Sequence, residues 1–207
     1  MPISGFATPE ATARHAAQAD VAAGHYRPDY QGLQLSSLGM GSYLGQPDSD
    51  TSKRVTEAAI NSVQCGAINV LDTAINYRYQ LAERAMGEAL SHLVDDGQIC
   101  RDGLFLASKV GYLSPDADDP RPAPVYFRQE LIDTGILPPD EVAQGCHSIH
   151  PAYVAHQVNK SLSNLGLQTL DLLYLHNVAE SQLPDIKPTK LMARLEAAFD
   201  QLEQLRQ

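Results

Sequence analysis

Basic residues are scarce in this 207-residue chain: 15 Lys and Arg stand against 25 Asp and Glu, for a formal net charge of -10. A protein that grips phosphate backbones needs a basic face, so nucleic acid is not an expected partner, and an anionic membrane surface is disfavoured for the same reason. Long apolar runs are missing as well. No stretch approaches the roughly 18 residues that a membrane span requires, and the opening "MPISGFATPEATARHAAQAD" has neither the basic start nor the apolar middle of a secretory leader. A cytoplasmic location is therefore expected. Cysteine is sparse: Cys65, Cys100 and Cys146 are odd in number and far apart, which excludes a disulfide framework and a CxxC metal or redox motif. What remains is ordinary for a globular fold, 43% hydrophobic and 19% charged, and long enough to bury a sizeable core.

The order of patterns along the chain is informative. Thr8 followed by Pro9 reads as an N-cap and first helical position, and the Ala-rich sequence after it predicts a helix over 8–22, ended by Gly24 and Pro28, within an accessory segment 1–29. The main unit, 30–207, opens with "YQGLQLSSLGMGSYLG", which predicts a hairpin around Gly32 feeding a first core strand. Val55, Ala59 and Val63 then share one face of a helix over 51–65, Gly66 stops it, and "INVLD" follows as a buried strand. The theme recurs. A helix over 80–93 precedes the strand "GLFLASK", and a helix over 151–164, opened by Pro151 and closed by Gly166, precedes "LDLLYLH". Leu191, Leu195, Phe199 and Leu202 mark a final helix.

Four strand-then-helix units with strands apolar on both faces predict a parallel α/β sheet with right-handed crossovers. One connection, 111–149, breaks the rhythm. It is rich in Pro and Asp with a short helix expected near 126–133, and long loops inside compact domains are more often functional than idle.

In a parallel sheet the C-terminal strand ends share one edge, and α/β active sites are built there. The four strands end in Gly41, Ser42 and Tyr43, then Asp72, then Lys109, then His176. Each polar residue alone has a plain structural reading: Asp72 as an Asx turn or cap, Lys109 as a solvated strand end, His176 as a locally satisfied imidazole. Three different ionisable groups at equivalent positions point instead to one site. Tyr77, five residues after Asp72, adds a phenol. A phenol, with an ordinary pKa of about 10, is a weak acid at neutral pH. An adjacent ammonium stabilises the phenolate left after proton donation, a carboxylate holds the ammonium, and an imidazole opposite can donate to the same substrate oxygen. Tyr77, Lys109, Asp72 and His176 thus suit a carbonyl that becomes an alkoxide under hydride attack. No side chain carries hydride, so a nicotinamide cofactor is expected.

These residues resemble a known family. "LDTAINYRYQLAERAMGEAL" is similar to the Asp-Thr-Ala-x-x-Tyr and Glu-x-x-x-Gly-x-Ala-Leu pattern of the aldo-keto reductases, "LFLASKVG" to their lysine-bearing strand, and "LGLQTLDLLYLHN" to the strand carrying their histidine. The resemblance, over roughly residues 33–207, implies a TIM-type (β/α)8 barrel, of which this chain has room for the first four units, and an NADP(H)-dependent aldehyde or ketone oxidoreductase. It implies Tyr77 as general acid, Lys109 and Asp72 as its tuning pair, His176 as the residue orienting the carbonyl, and Gly41, Ser42, Tyr43 and Asp72 beside the cofactor. Tyr43, Tyr77, His176 and Asn177 would meet the substrate, a small carbonyl or alcohol, with the long loop hanging over the site. In many members an aromatic and a proline follow the histidine, where this chain has Asn177 and Val178. A whole barrel takes about 250 residues, so the expectation is either a fragment of a longer reductase or a half barrel that pairs with a second copy.

Two other readings compete. Cys146, His147, His150 and His156 have spacings that a zinc site could use, although no second cluster matches them and no metal is expected. A chain of this type could also act as a non-catalytic, cofactor-sensing regulatory protein.

Overall fold

The computed structural model describes residues 1–97 and 99–206. Helix α1 (Pro9–Gln18) starts where the sequence indicates: the Thr8 side chain accepts from the Ala11 amide, and Pro9 occupies the first position. It is shorter than the 8–22 expected. The chain extends from Ala19, which packs on Gly66. Strands β1 (Tyr26–Pro28) and β2 (Gln34–Ser36) form the anticipated antiparallel hairpin, its turn held by Asp29 Oδ1 accepting from the Gln31 and Leu33 amides.

The remaining strands are β3 (Met40–Gly41), β4 (Val70–Asp72), β5 (Phe105–Val110) and β6 (Leu172–Leu175), all parallel and in sequential order. Helices α2 (Ser49–Gln64), α3 (Leu81–Asp95) and α5 (Pro151–Leu165) connect them, and α7 (Pro188–Leu205) follows β6 after the short α6 (Val178–Gln182). This is a (β/α)4 arc of barrel type, as expected. Leu71 and Leu106 on the strands meet Val63, Met86, Leu90 and Leu165 on the helices in the main core, and Val110, Val154, Leu191 and Ala198 form a second under α7. Apolar burial of this kind, about 25 cal/mol per Å2, is the main force holding helices on a sheet. Gly87 lets α3 and α5 touch, since a Cβ there would lie 2.7 Å from the Asn164 carbonyl oxygen.

The long connection is less loop-like than its sequence. It contains α4 (Ala123–Phe127), continued by a π turn at Arg128–Ile132, and Leu131 and Leu137 build a small core of their own on Tyr153 of α5. Arg84 clamps it to α3 through Asp116 and Asp118, each at 2.6 Å. Its middle therefore lies against α3 and α5, while Tyr112 and His147 near its two ends reach His176 at the strand edge.

The N-terminal ends of the strands are closed. Arg101 Nη2 lies 2.8 Å from Asp171 Oδ2, and the same carboxylate accepts from the amides of Leu106 (2.7 Å) and Ala7 (2.6 Å). The segment before α1 is thereby tied beneath the sheet. At the sides, β3 and β6 have open edges, with Tyr43 and Leu44 exposed near one and Tyr174, Met192 and Phe199 near the other.

Candidate active site

Strand β4 delivers Asp72 and β5 delivers Lys109 because adjacent parallel strands are in register, Asp72 opposite Ala107, and both side chains emerge at the same edge. Lys109 Nζ donates to Asp72 Oδ2 at 2.5 Å and to the Thr73 carbonyl at 2.8 Å. The ammonium also stands 4.8 Å from the centroid of the Tyr77 ring. That ring sits edge-on to His176 at 5.8 Å and to Tyr43 at 5.0 Å. The four residues read from the sequence as one site are thus gathered at one strand edge.

The backbone that presents Tyr77 is unusual. Arg78, Tyr79 and Gln80 all have positive φ, at 49°, 55° and 75°. For residues with a Cβ this conformation costs roughly 1–2 kcal/mol each, so it persists only where neighbours enforce it. Here the Tyr79 carbonyl accepts from Ala117 N, Gln80 Nε2 donates to the Pro115 carbonyl, and the Arg78 guanidinium donates to Ser52 Oγ. None of the three residues is Gly, Asn or Asp, so nothing in their identity announced the turn.

His176 follows β6. Its amide donates to the Val110 carbonyl at 2.8 Å, and its Nδ1 is buried without a partner. Burial, reinforced by Lys109 and His147 against the opposing Asp72 carboxylate, holds its imidazole below the ordinary range. It is neutral at pH 7, and a neutral imidazole can still donate one hydrogen bond.

The remaining candidates divide. Gly41 faces open space, and Tyr43 is 65% exposed beside Tyr77. Ser42 is turned inward: its hydroxyl donates to Thr73 Oγ1 and its amide to the Asp72 carbonyl. Asn177 is exposed in a left-handed conformation, φ 47°, at the start of α6.

A profile of the aldo/keto reductase family matches residues 37–207. The chain belongs to this family. Among solved structures, the aldo-keto reductase AKR11C1 from Bacillus halodurans, in its holo form, is 26% identical with a TM-score of 0.50, the match covering 84% of this chain and 44% of that one. Two chains from Pseudomonas aeruginosa assigned to the aldo-keto reductases are 20% and 19% identical, with TM-scores of 0.47 and 0.49, over 86% and 87% of this chain and 57% and 56% of theirs. The chain therefore spans under half the length of the Bacillus halodurans reductase. A search of curated proteins found no match.

Around these side chains lie residues that sequence reasoning missed or read otherwise. Tyr112 stands edge-on to both His147 and His176, at 5.0 and 5.1 Å. His147, a metal candidate by spacing, has both ring nitrogens engaged, Nε2 with the His176 carbonyl at 2.7 Å and Nδ1 with Gln182 at 3.0 Å. Cys146 is exposed, His150 stands at the N-cap position of α5 without a side-chain capping bond, and among the described residues no three ligands converge with His156 or the others on a metal position. No helix among the described residues is long and apolar enough to cross a membrane.

Proposed function

We propose that this chain carries the proton-transfer half of an NADP(H)-dependent oxidoreductase interconverting an aldehyde or ketone with an alcohol. The observation that supports this reading best is the Lys109 ammonium, 2.5 Å from Asp72 and 4.8 Å from the centre of the Tyr77 ring. In this reading Tyr77 gives its hydroxyl proton to the carbonyl oxygen as negative charge develops there, and Lys109 stabilises the phenolate left behind. Asp72 fixes the ammonium, and the neutral His176 donates a hydrogen bond to the same oxygen. A nicotinamide bound at this edge would supply the hydride. The residues present fit such a group: Gly41 leaves open space at the strand edge, and the exposed Tyr43 ring offers a flat apolar face beside Tyr77. Substrate contacts fall to Tyr43, Tyr77, His176 and Asn177.

The test is oxidation of NADPH, with NADH alongside, against a panel of aromatic and aliphatic aldehydes and ketones. Turnover with NADPH preferred is expected. Binding of the nucleotide, read by fluorescence quenching, without turnover of any carbonyl would favour the regulatory reading; absence of both would remove catalysis by this chain alone.

A further inference from the structure

We propose that Arg194, Gln182 and His147 form a positioning relay that holds the main chain of His176, and that Gly111 is the position that admits it. The inference rests on His176 being the group that orients the carbonyl. Its outer end is the ion pair between Arg194 and Glu141, at 2.7 Å. Arg194 Nη1 then donates to Gln182 Oε1 at 2.5 Å. A guanidinium can only donate, so the amide oxygen must face it and the amide nitrogen must face away. Gln182 Nε2 accordingly donates to His147 Nδ1 at 3.0 Å, which makes Nδ1 an acceptor and leaves the single ring proton on Nε2. From there it is donated to the His176 carbonyl oxygen at 2.7 Å. Arg194 at one end, which can only donate, and the His176 carbonyl at the other, which can only accept, together fix the direction of every hydrogen bond between them.

The chain of contacts is sealed: His147 and Gln182 are fully buried, and Arg194 nearly so. His176 is held from both sides, its amide by the Val110 carbonyl and its own carbonyl by His147. Between the two imidazoles stands the Tyr112 ring, perpendicular to each, with its hydroxyl accepting from Ser181 Oγ at 3.1 Å. Gly111, directly after β5, makes room. A Cβ there would lie 2.6 Å from His147 Nε2, and the residue has φ 135°. The titratable groups facing His147 directly are His176 and Tyr112, with Arg194 behind Gln182; burial keeps His147 neutral despite its bond to the His176 carbonyl.

The experiment is long-range 1H–15N correlation of the histidine rings of the 207-residue chain, with carbonyl-reduction kinetics, for the wild type, Gln182→Met and Gln182→Glu. In the wild type His147 should carry one proton, on Nε2. Gln182→Met removes the donor to His147 Nδ1 while the His176 carbonyl alone still holds the ring proton on Nε2, so the Nδ1 signal should shift, the His176 signals should move, and kcat should fall on the order of 10-fold or more at unchanged nucleotide KM. Gln182→Glu still accepts from Arg194 and now also accepts from His147 Nδ1–H. Its His147 should be doubly protonated at pH 7, keep its bond to the His176 carbonyl, and partly restore kcat. Unchanged His147 and His176 signals in Gln182→Met overturn the relay, as does a wild-type His147 protonated on Nδ1. A Gln182→Met that only melts earlier, with normal kcat, also overturns it, since that is what a merely structural glutamine gives. If Gln182→Met does not fold, a singly protonated His147 in Gln182→Glu overturns the relay and a doubly protonated one supports it. A wild type without turnover removes catalysis by this chain alone, yet the ring spectra still decide the relay.

Discussion

At the N-terminal ends of the strands Arg101 and Asp171 face each other with side chains only 3% and 4% exposed; at the C-terminal ends Lys109 and Asp72 do so at 15% and 38%. Both are cation–carboxylate pairs bridging neighbouring elements of one sheet, yet they are built for different ends. Asp171 is saturated, its two oxygens accepting from Arg101, Leu106 and Ala7, and a charge so buried is tolerable only because it is so fully bonded. Asp72 gives Oδ2 to Lys109, and the ammonium keeps one side beside the Tyr77 ring. The carboxylate that ties the fold together is fully used, whereas the other pair stands beside a half-buried phenol and imidazole.

Substitutions can break this comparison. The largest expected effect is on the open edge: Tyr77→Phe should lower carbonyl turnover by about 10²- to 10⁴-fold while nucleotide binding, read by fluorescence quenching, hardly changes. Comparable turnover would remove Tyr77 from the role of acid. The same substitution at the two carboxylates should then separate them. Asp171→Ala strands a buried guanidinium and should cost about 3–5 kcal/mol, a drop of about 10 °C in melting temperature. Asp72→Ala, at a partly exposed pair, should cost no more than about 1 kcal/mol of stability while depressing activity. Equal melting temperatures for the two variants would collapse the distinction.

A smaller effect concerns pH. His147 and His176 on the catalytic side, with His15 and His156 elsewhere, are held below their ordinary value of 6.5, chiefly by burial. Below 6.5 the unfolded chain binds protons that the folded chain refuses, so stability should fall as pH drops from there, by at most about 1.4 kcal/mol per histidine for each pH unit. Urea midpoints between pH 7 and 5 check this, and a midpoint that rises on acidification would contradict it. The smallest effect is expected at Tyr79, half exposed at φ 55°. Tyr79→Gly relieves the left-handed strain and should stabilise the fold by about 1 kcal/mol or less in urea denaturation; a loss of stability would show that the tyrosine ring makes a contact outweighing the strain.

Much of this was legible before any coordinates. Helical spacing at Val55, Ala59 and Val63, the stops at Gly66 and Gly166, and apolar strands ending on Asp72, Lys109 and His176 are local signals, and local signals survive folding. The inward turn of Ser42, whose hydroxyl donates to Thr73, has no local signal in the sequence. The metal reading of His147 failed because sequence spacing cannot show that Gln182, 35 residues later, occupies Nδ1. Leu131 and Leu137 carry no helical or strand period, so the small core they form on Tyr153 was invisible. Arg78, Tyr79 and Gln80 are residues that ordinarily avoid positive φ, and only the contacts from α2 and the long connection force them there.

That last turn ties the position of Tyr77 to parts of the chain far from it. The residues after Tyr77 stay left-handed only while Pro115, Ala117 and Ser52 hold them. Loosening that distant clamp would release Tyr77 from its place beside Lys109 and His176 while the four-stranded arc, held by its own core, stays intact.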